Sequence, residues 1–174
     1  MTVDDFLALP EEETYGKELI DGEIVDMGNS GKHHEWIKAL TNRLIVSALL
    51  KEGRYLVMGE AVFHPDDDEL TGLKPDLALV PASPPNAPNR DRIYPILAVE
   101  IVSSDRASRL HDKIRIYFEM GSQAVWVLYA SDHTIEVHKP DGTSRKLRRD
   151  DWIEAPGIIS DFRVKVSDFF QGID

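Results

Sequence analysis

Apolar residues recur with different spacings along the chain, and each spacing predicts a different element. Trp36, Ile37, Leu40, Leu44, Ala48 and Leu49 fall three and four residues apart, which predicts one amphipathic helix of about four turns running to Gly53. Leu110, Ile114, Tyr117 and Phe118 repeat that period in a second helix over residues 106–120, with Gly121 as its stop. Unbroken apolar runs behave differently. LKPDLALV (73–80) and ILAVEIVS (96–103) predict strands covered on both faces, because a surface strand would alternate. AVWVLYA and TIEVHK predict two further strands joined as a hairpin, and RYLVMGEAVFH one strand or two.

Local signals punctuate this pattern. Thr2 can cap a short N-terminal helix with Asp5 three residues on, and Pro10 stops it. Asp21-Gly22 stands between the apolar segments of KELIDGEIVDM, a strong hairpin signal. HPDDDELTG reads as a solvated turn, PASPPNAPNRDR as a loop, and GIISDFRVKVSDFF ends in a short helical turn. Strands alternating with helices, without repeats or a linker, predict an α/β fold with a central mixed sheet flanked by helices. One domain over residues 1–174 accounts for the chain, and a domain of this length buries roughly 70% of its unfolded surface.

Composition narrows the chemistry. The absence of cysteine excludes disulfides and thiolate metal sites, so any metal must be held by oxygen or imidazole. No stretch approaches the roughly 20 apolar residues of a membrane span, and the N-terminus is acidic where a signal peptide would be basic. A soluble, cytoplasmic protein is expected. The formal net charge of -11 opposes non-specific binding to polyphosphate; any nucleic-acid binding is expected to be weak, to need a local positive cleft and to depend steeply on salt.

Glu100 breaks the apolar run of ILAVEIVS. An unpaired buried carboxylate costs several kcal/mol, so this group needs solvent, a cation, hydrogen bonds or a proton. Pro75-Asp76 opens the preceding buried strand and can bring a second carboxylate beside it. Two carboxylates with water and phosphate oxygens suit magnesium, a hard ion that takes few protein ligands. Lys113, on the helix after the strand, can reach Glu100 if that helix folds back over the sheet. Structural alternatives stand beside each assignment: Asp76 as a turn cap, Lys113 as a solvent-facing ion pair.

Pro75-Asp76, then Glu100 in a strand, then a lysine resembles the PD-(D/E)xK nuclease superfamily. With the ELIDGEI hairpin, the His34 helix, KPDLALV, AVEIVS and DKIRIYFEMG leading into VWVLY, the chain is more closely similar to the Uma2 family of restriction-endonuclease-like proteins. The superfamily lysine usually stands two residues after the acid, where this chain has Val102; the Uma2-like pattern takes it from the next helix as Lys113, with Tyr117 one turn later. The resemblance implies a restriction-endonuclease-like core and a magnesium- or manganese-dependent endonuclease acting on DNA. It makes Asp76 and Glu100 the metal ligands and Lys113 the catalytic cation. Glu18, His34 and Tyr117 support them, and a homodimer would cut both strands.

The chain departs from the family pattern at Ser103-Ser104-Asp105, where relatives often read Ser-Pro-Ser, at Arg109, and at Ala124-Val125-Trp126 with Tyr129. His33, His64, His111, His133 and His138 lack metal-ligand spacing and read as structural, and Arg145, Lys146, Arg148 and Arg149 as a solvated hairpin edge. Two other functions stay open. One is a catalytically inactive homodimeric or partner-binding module that retains the fold; the other is hydrolysis of a small phosphoester.

Overall fold

The structure is a computed structural model that describes residues 1–28, 31–50, 53–82, 93–102 and 109–173. Two short helices, α1 (Val3–Leu7) and α2 (Glu11–Thr14), lead into the hairpin of β1 (Lys17–Ile20) and β2 (Glu23–Asp26). The long helix α3 (Lys32–Leu49) follows, then β3 (Tyr55–Met58), β4 (Leu77–Pro81) and β5 (Leu97–Val102). Helix α4 (Leu110–Glu119) crosses to β6 (Ala124–Tyr129), β7 (Thr134–His138) and β8 (Ser144–Leu147). The small hairpin of β9 (Trp152–Glu154) and β10 (Arg163–Lys165) precedes α5 (Val166–Phe169).

Strands β3 to β8 form one six-stranded sheet in chain order. Only β5 and β6 run parallel in it, and a parallel pair needs a crossover, which α4 provides. The alternation of side chains along each strand then sorts the core into two layers. Leu97, Val99 and Ile101 face α3 and the C-terminal Phe162 and Phe169, which close on Trp126 at ring separations of 5.5 and 6.3 Å. Ala98 and Val102 face Leu110, Ile114 and Tyr117 of α4. Glu100 shares their parity and therefore points into the α4 layer. All six residues of β5 are buried, as expected of a strand covered on both sides.

The local signals hold in detail. Thr2 Oγ1 accepts from the Asp5 N–H at 3.2 Å while Asp5 Oδ2 accepts from the Thr2 N–H at 2.9 Å, a reciprocal cap. Asp21 and Gly22 take φ of 51° and 79°, the left-handed pair of a two-residue hairpin turn. The basic run lies partly on the exposed edge strand β8, where Lys146 pairs with Asp132 at 3.0 Å.

Several elements differ from the sequence expectation. Helix α1 ends at Leu7, before Pro10, and α2 starts directly after that proline, whose fixed φ suits a helix entrance. Helix α3 has 18 residues, and Trp36, expected on its apolar face, is 53% exposed. The buried stripe instead runs through His34, Ile37, Leu40, Thr41, Ile45 and Leu49, with Trp36 Nε1 donating to the Gln171 carbonyl at 2.8 Å. The loop expected at 81–92 and the start of the second helix at 106–108 fall largely outside the described residues, as do Ser103-Ser104-Asp105. Among the described residues no helix is long and apolar enough to cross a membrane.

Candidate active site

Strand register brings the two carboxylates together. Leu77 pairs with Val99 in the antiparallel β4–β5 ladder, so one step further Asp76 stands opposite Glu100. Asp76 Oδ2 accepts a 2.7 Å hydrogen bond from the Ile101 N–H, which fixes the carboxylate at the open end of β5. Its other oxygen, Oδ1, lies 2.9 Å from His34 Nε2, on the first turn of α3. His34 Nδ1 in turn stands 3.3 Å from Glu35 Oε1.

Lys113 comes from the opposite side of this group. Helix α4 packs on the face to which Glu100 points, and Lys113 Nζ lies 2.7 Å from Glu100 Oε1 and 2.9 Å from Glu18 Oε1. Tyr117, four residues on and on the same helical face, donates its hydroxyl to Glu100 Oε1 at 2.5 Å. Glu18 projects from β1 and also accepts from the Lys74 N–H at 2.7 Å. Glu18, Asp76, Glu100 and Lys113 line one small cavity of about 70 Å³. The six residues singled out from the sequence therefore stand in two adjoining polar groups, Glu18, Glu100, Lys113 and Tyr117 in one and Asp76 with His34 in the other, with the small cavity between them.

Burial sets its electrostatics. Glu18, Lys113 and Glu100 are only 1%, 4% and 7% exposed. Desolvation pushes the Glu100 carboxyl up to about 7; Lys113 opposes this, while Glu18 and Asp76 add to it. Desolvation works against the Lys113 ammonium, but Glu100 and Glu18 outweigh it and raise its pKa. Tyr117 is held well above its ordinary range by burial and by the neighbouring Glu100 and Glu18, so it serves as a hydrogen-bond donor. For His34, burial disfavours the imidazolium, yet Asp76 and then Glu35 reverse the sign and raise its pKa.

The donor set fits a hard cation. Glu18 Oε2 is buried and has no hydrogen-bond partner among the described residues, although it belongs to the group that lines the cavity with Asp76 and Glu100. A carboxylate oxygen left in that state has capacity for a positive ligand. Among the described residues no three His, Asp or Glu side chains converge into a ready metal cage. Magnesium does not require one, since one or two carboxylates with water and phosphate oxygens complete its shell.

An outer arc of charged residues extends the site. Lys38 Nζ bridges Glu35 Oε2 at 3.0 Å and Glu60 Oε1 at 2.6 Å, extending the network from Asp76 through His34 to the end of β3. The i,i+3 spacing of Glu35 and Lys38 was the available signal. Glu60 had none, because its place depends on how β3 meets the segment before β4.

A mixed six-stranded sheet with carboxylates on neighbouring strands, completed by a lysine from the crossover helix, defines a restriction-endonuclease-like core. The chain belongs to the Uma2 family, whose description reads "Putative restriction endonuclease" and whose model matches residues 3–167. A crystal structure described as that of "a putative nuclease belonging to DUF820 from Anabaena variabilis ATCC 29413" is similar in fold. Its TM-score is 0.82 at 22% identity, covering 98% of this chain and 97% of that one. Comparison with curated proteins finds no match.

Proposed function

We propose that this protein is an endonuclease that hydrolyses phosphodiester bonds of DNA, uses magnesium or manganese, and acts as a homodimer. The observation that supports the reading best is the convergence of Lys113 from α4 with Glu100 of β5 and Glu18 of β1, beside an Asp76 oriented by the Ile101 N–H. Asp76 and Glu100 would hold the cation, with Glu18 adding an acidic oxygen. When bound, the cation would polarise a phosphoryl oxygen and acidify a water molecule. Lys113 would supply positive charge to the attacking water and to the charge developing on the phosphoryl group. Tyr117 fixes the rotamer of Glu100, and His34 that of Asp76. Family membership and the structural neighbour support nuclease chemistry in general.

The test is hydrolysis of plasmid and oligonucleotide substrates by purified full chain, with magnesium or manganese against chelator. Cutting should require the metal and disappear in Glu100→Gln. If nothing is cut and calorimetry detects no divalent-metal binding, the proposal fails.

One observation favours a second reading, a non-catalytic partner-binding module. Lys113 already pairs with both Glu18 and Glu100, and both Asp76 oxygens are engaged, so the network is largely satisfied without a metal. Thermal melting separates the two. Magnesium at about a hundred times its Kd would add about 2.7 kcal/mol to the wild type and nothing to Glu100→Gln if the site binds metal. No magnesium shift in either protein supports the module.

A further inference from the structure

We infer that the larger concavity beside the carboxylates receives an unpaired nucleobase, so that the preferred substrate is a single strand or an unpaired position rather than continuous duplex. The inference rests on the nuclease reading above and specifies its substrate class. This cavity has a volume of about 470 Å³ and shares Glu18, Met27, Lys74 and Asp76 with the small cavity of the carboxylate site. Its size falls within the roughly 300–1,000 Å³ of small-molecule sites. A base within a duplex stays stacked and paired and cannot enter such a recess, whereas an unpaired or flipped one can.

The lining is wrong for phosphate and right for a base. Four carboxylates, Glu11, Glu18, Glu60 and Asp76, face it against two lysines, Lys17 and Lys74. Lys74 is already committed, its Nζ donating to the Thr14 carbonyl at 2.9 Å and lying 5.1 Å from the centre of the Phe6 ring. A phosphate group would meet net negative charge there. Asp76 and Glu18 Oε1 are engaged within the site, so the amino and imino N–H groups of a base would meet Glu11 and the second oxygen of Glu60, as carboxylates meet the cytosine amino group in sequence readout. Tyr15 contributes an aromatic ring to the same wall and is 69% exposed, a surface on which a base can stack. The acidic lining limits what phosphate contacts can supply at this recess, which leaves stacking and base hydrogen bonds to supply affinity there.

Backbone strain points to the same recess. Glu60 has φ of 55°, a left-handed conformation that glutamate rarely adopts, and its N–H donates to the Pro75 carbonyl at 3.3 Å. Asp21, His133 and Asp161 share this conformation in turns elsewhere; at Glu60 it holds a lining carboxylate directly against the segment carrying Asp76.

Fluorescence anisotropy of labelled oligonucleotides on the full chain, with calcium replacing magnesium to suppress cleavage, tests the inference. A single strand should bind roughly tenfold or more tightly than the duplex of the same sequence. Tyr15→Ala should weaken single-strand binding roughly tenfold, the loss of one stacked base, and Tyr15→Phe should restore it. Because Tyr15 is exposed, circular dichroism should show Tyr15→Ala folded as the wild type. Equal or tighter duplex binding, or single-strand affinity indifferent to Tyr15→Ala, overturns the inference. The two readings fail separately: metal-dependent cutting of duplex without strand preference removes this inference alone. Tyr15-dependent single-strand binding without any cleavage removes the nuclease reading and leaves the base site standing.

Discussion

Lys113 Nζ stands 2.7 Å from Glu100 Oε1 and 2.9 Å from Glu18 Oε1, so one ammonium from α4 joins carboxylates carried by two different sheets. Each of the three side chains is buried, and removing the lysine leaves two carboxylates without their cation. Lys113→Met should therefore lower the unfolding free energy at neutral pH by about 3–5 kcal/mol, the range for breaking a buried ion pair from one side. Adding Glu100→Gln to that variant should recover part of the loss. Urea unfolding of the single and double variants measures both, and a loss below about 1 kcal/mol would show that solvent reaches the triad.

The raised pKa of Glu100 gives stability a definite slope with pH. Its folded value of about 7 exceeds the ordinary glutamate value of 4.5, so between these limits the folded state binds more protons than the unfolded one. Stability from this group is then fully present below about 4.5 and declines as pH rises toward 7. Subtracting the Glu100→Gln profile from the wild type, by thermal melting across this window, should isolate that falling contribution. A difference that rises with pH would mean that Lys113 dominates and holds Glu100 ionised throughout.

The buried strands were legible because a strand covered on both faces must be apolar at every position, which makes an exception such as Glu100 conspicuous. Asp21-Gly22 was equally plain, since few dipeptides tolerate two consecutive left-handed residues. Asp141-Gly142, with Gly142 at φ of 81°, carries a related signal and marks the turn into β8, the edge strand on which part of the basic run lies. Hairpin β9–β10 is only three residues a side and shows too little alternation to register. Trp36 misled because periodicity reports which residues share a face but not where the face ends. The outer arc of Glu60 and Lys38 was invisible for a different reason: these residues lie 22 positions apart and meet only through the packing of α3 on β3.

His34 offers a direct probe of Asp76. Burial alone would lower the His34 pKa, and Asp76 is the largest contribution that raises it. Asp76→Asn keeps an acceptor for the Ile101 N–H while removing the charge beside Nε2. The His34 pKa followed by NMR should move downward in that variant, and Glu35→Gln should produce a smaller move in the same direction. An unchanged His34 titration in Asp76→Asn would show that the 2.9 Å contact does not persist in solution.

The turn of the first hairpin should matter to the site although it touches none of it. Gly22 has φ of 79°, and a Cβ there would meet the Met1 backbone N and O at 3.3 Å. Its N–H also donates to the Leu70 carbonyl at 2.7 Å, which ties the turn to the segment leading into Lys74 and Asp76. Gly22→Ala incurs the left-handed penalty of about 1–2 kcal/mol for a residue with a Cβ. In a domain of this size, about 1 kcal/mol corresponds to about 2–4 °C, so Tm should fall by several degrees. Gly22→Asn should lose less, because asparagine accepts left-handed backbone more readily. Strand β1 carries Glu18, whose Oε1 binds both Lys113 and the Lys74 N–H, so a loosened turn should also weaken the proposed magnesium binding, measured by calorimetry. A Tm loss in Gly22→Ala with unaltered magnesium affinity would mean that Glu18 is held by Lys113 and Lys74 alone, and that the hairpin serves the fold without tuning the site.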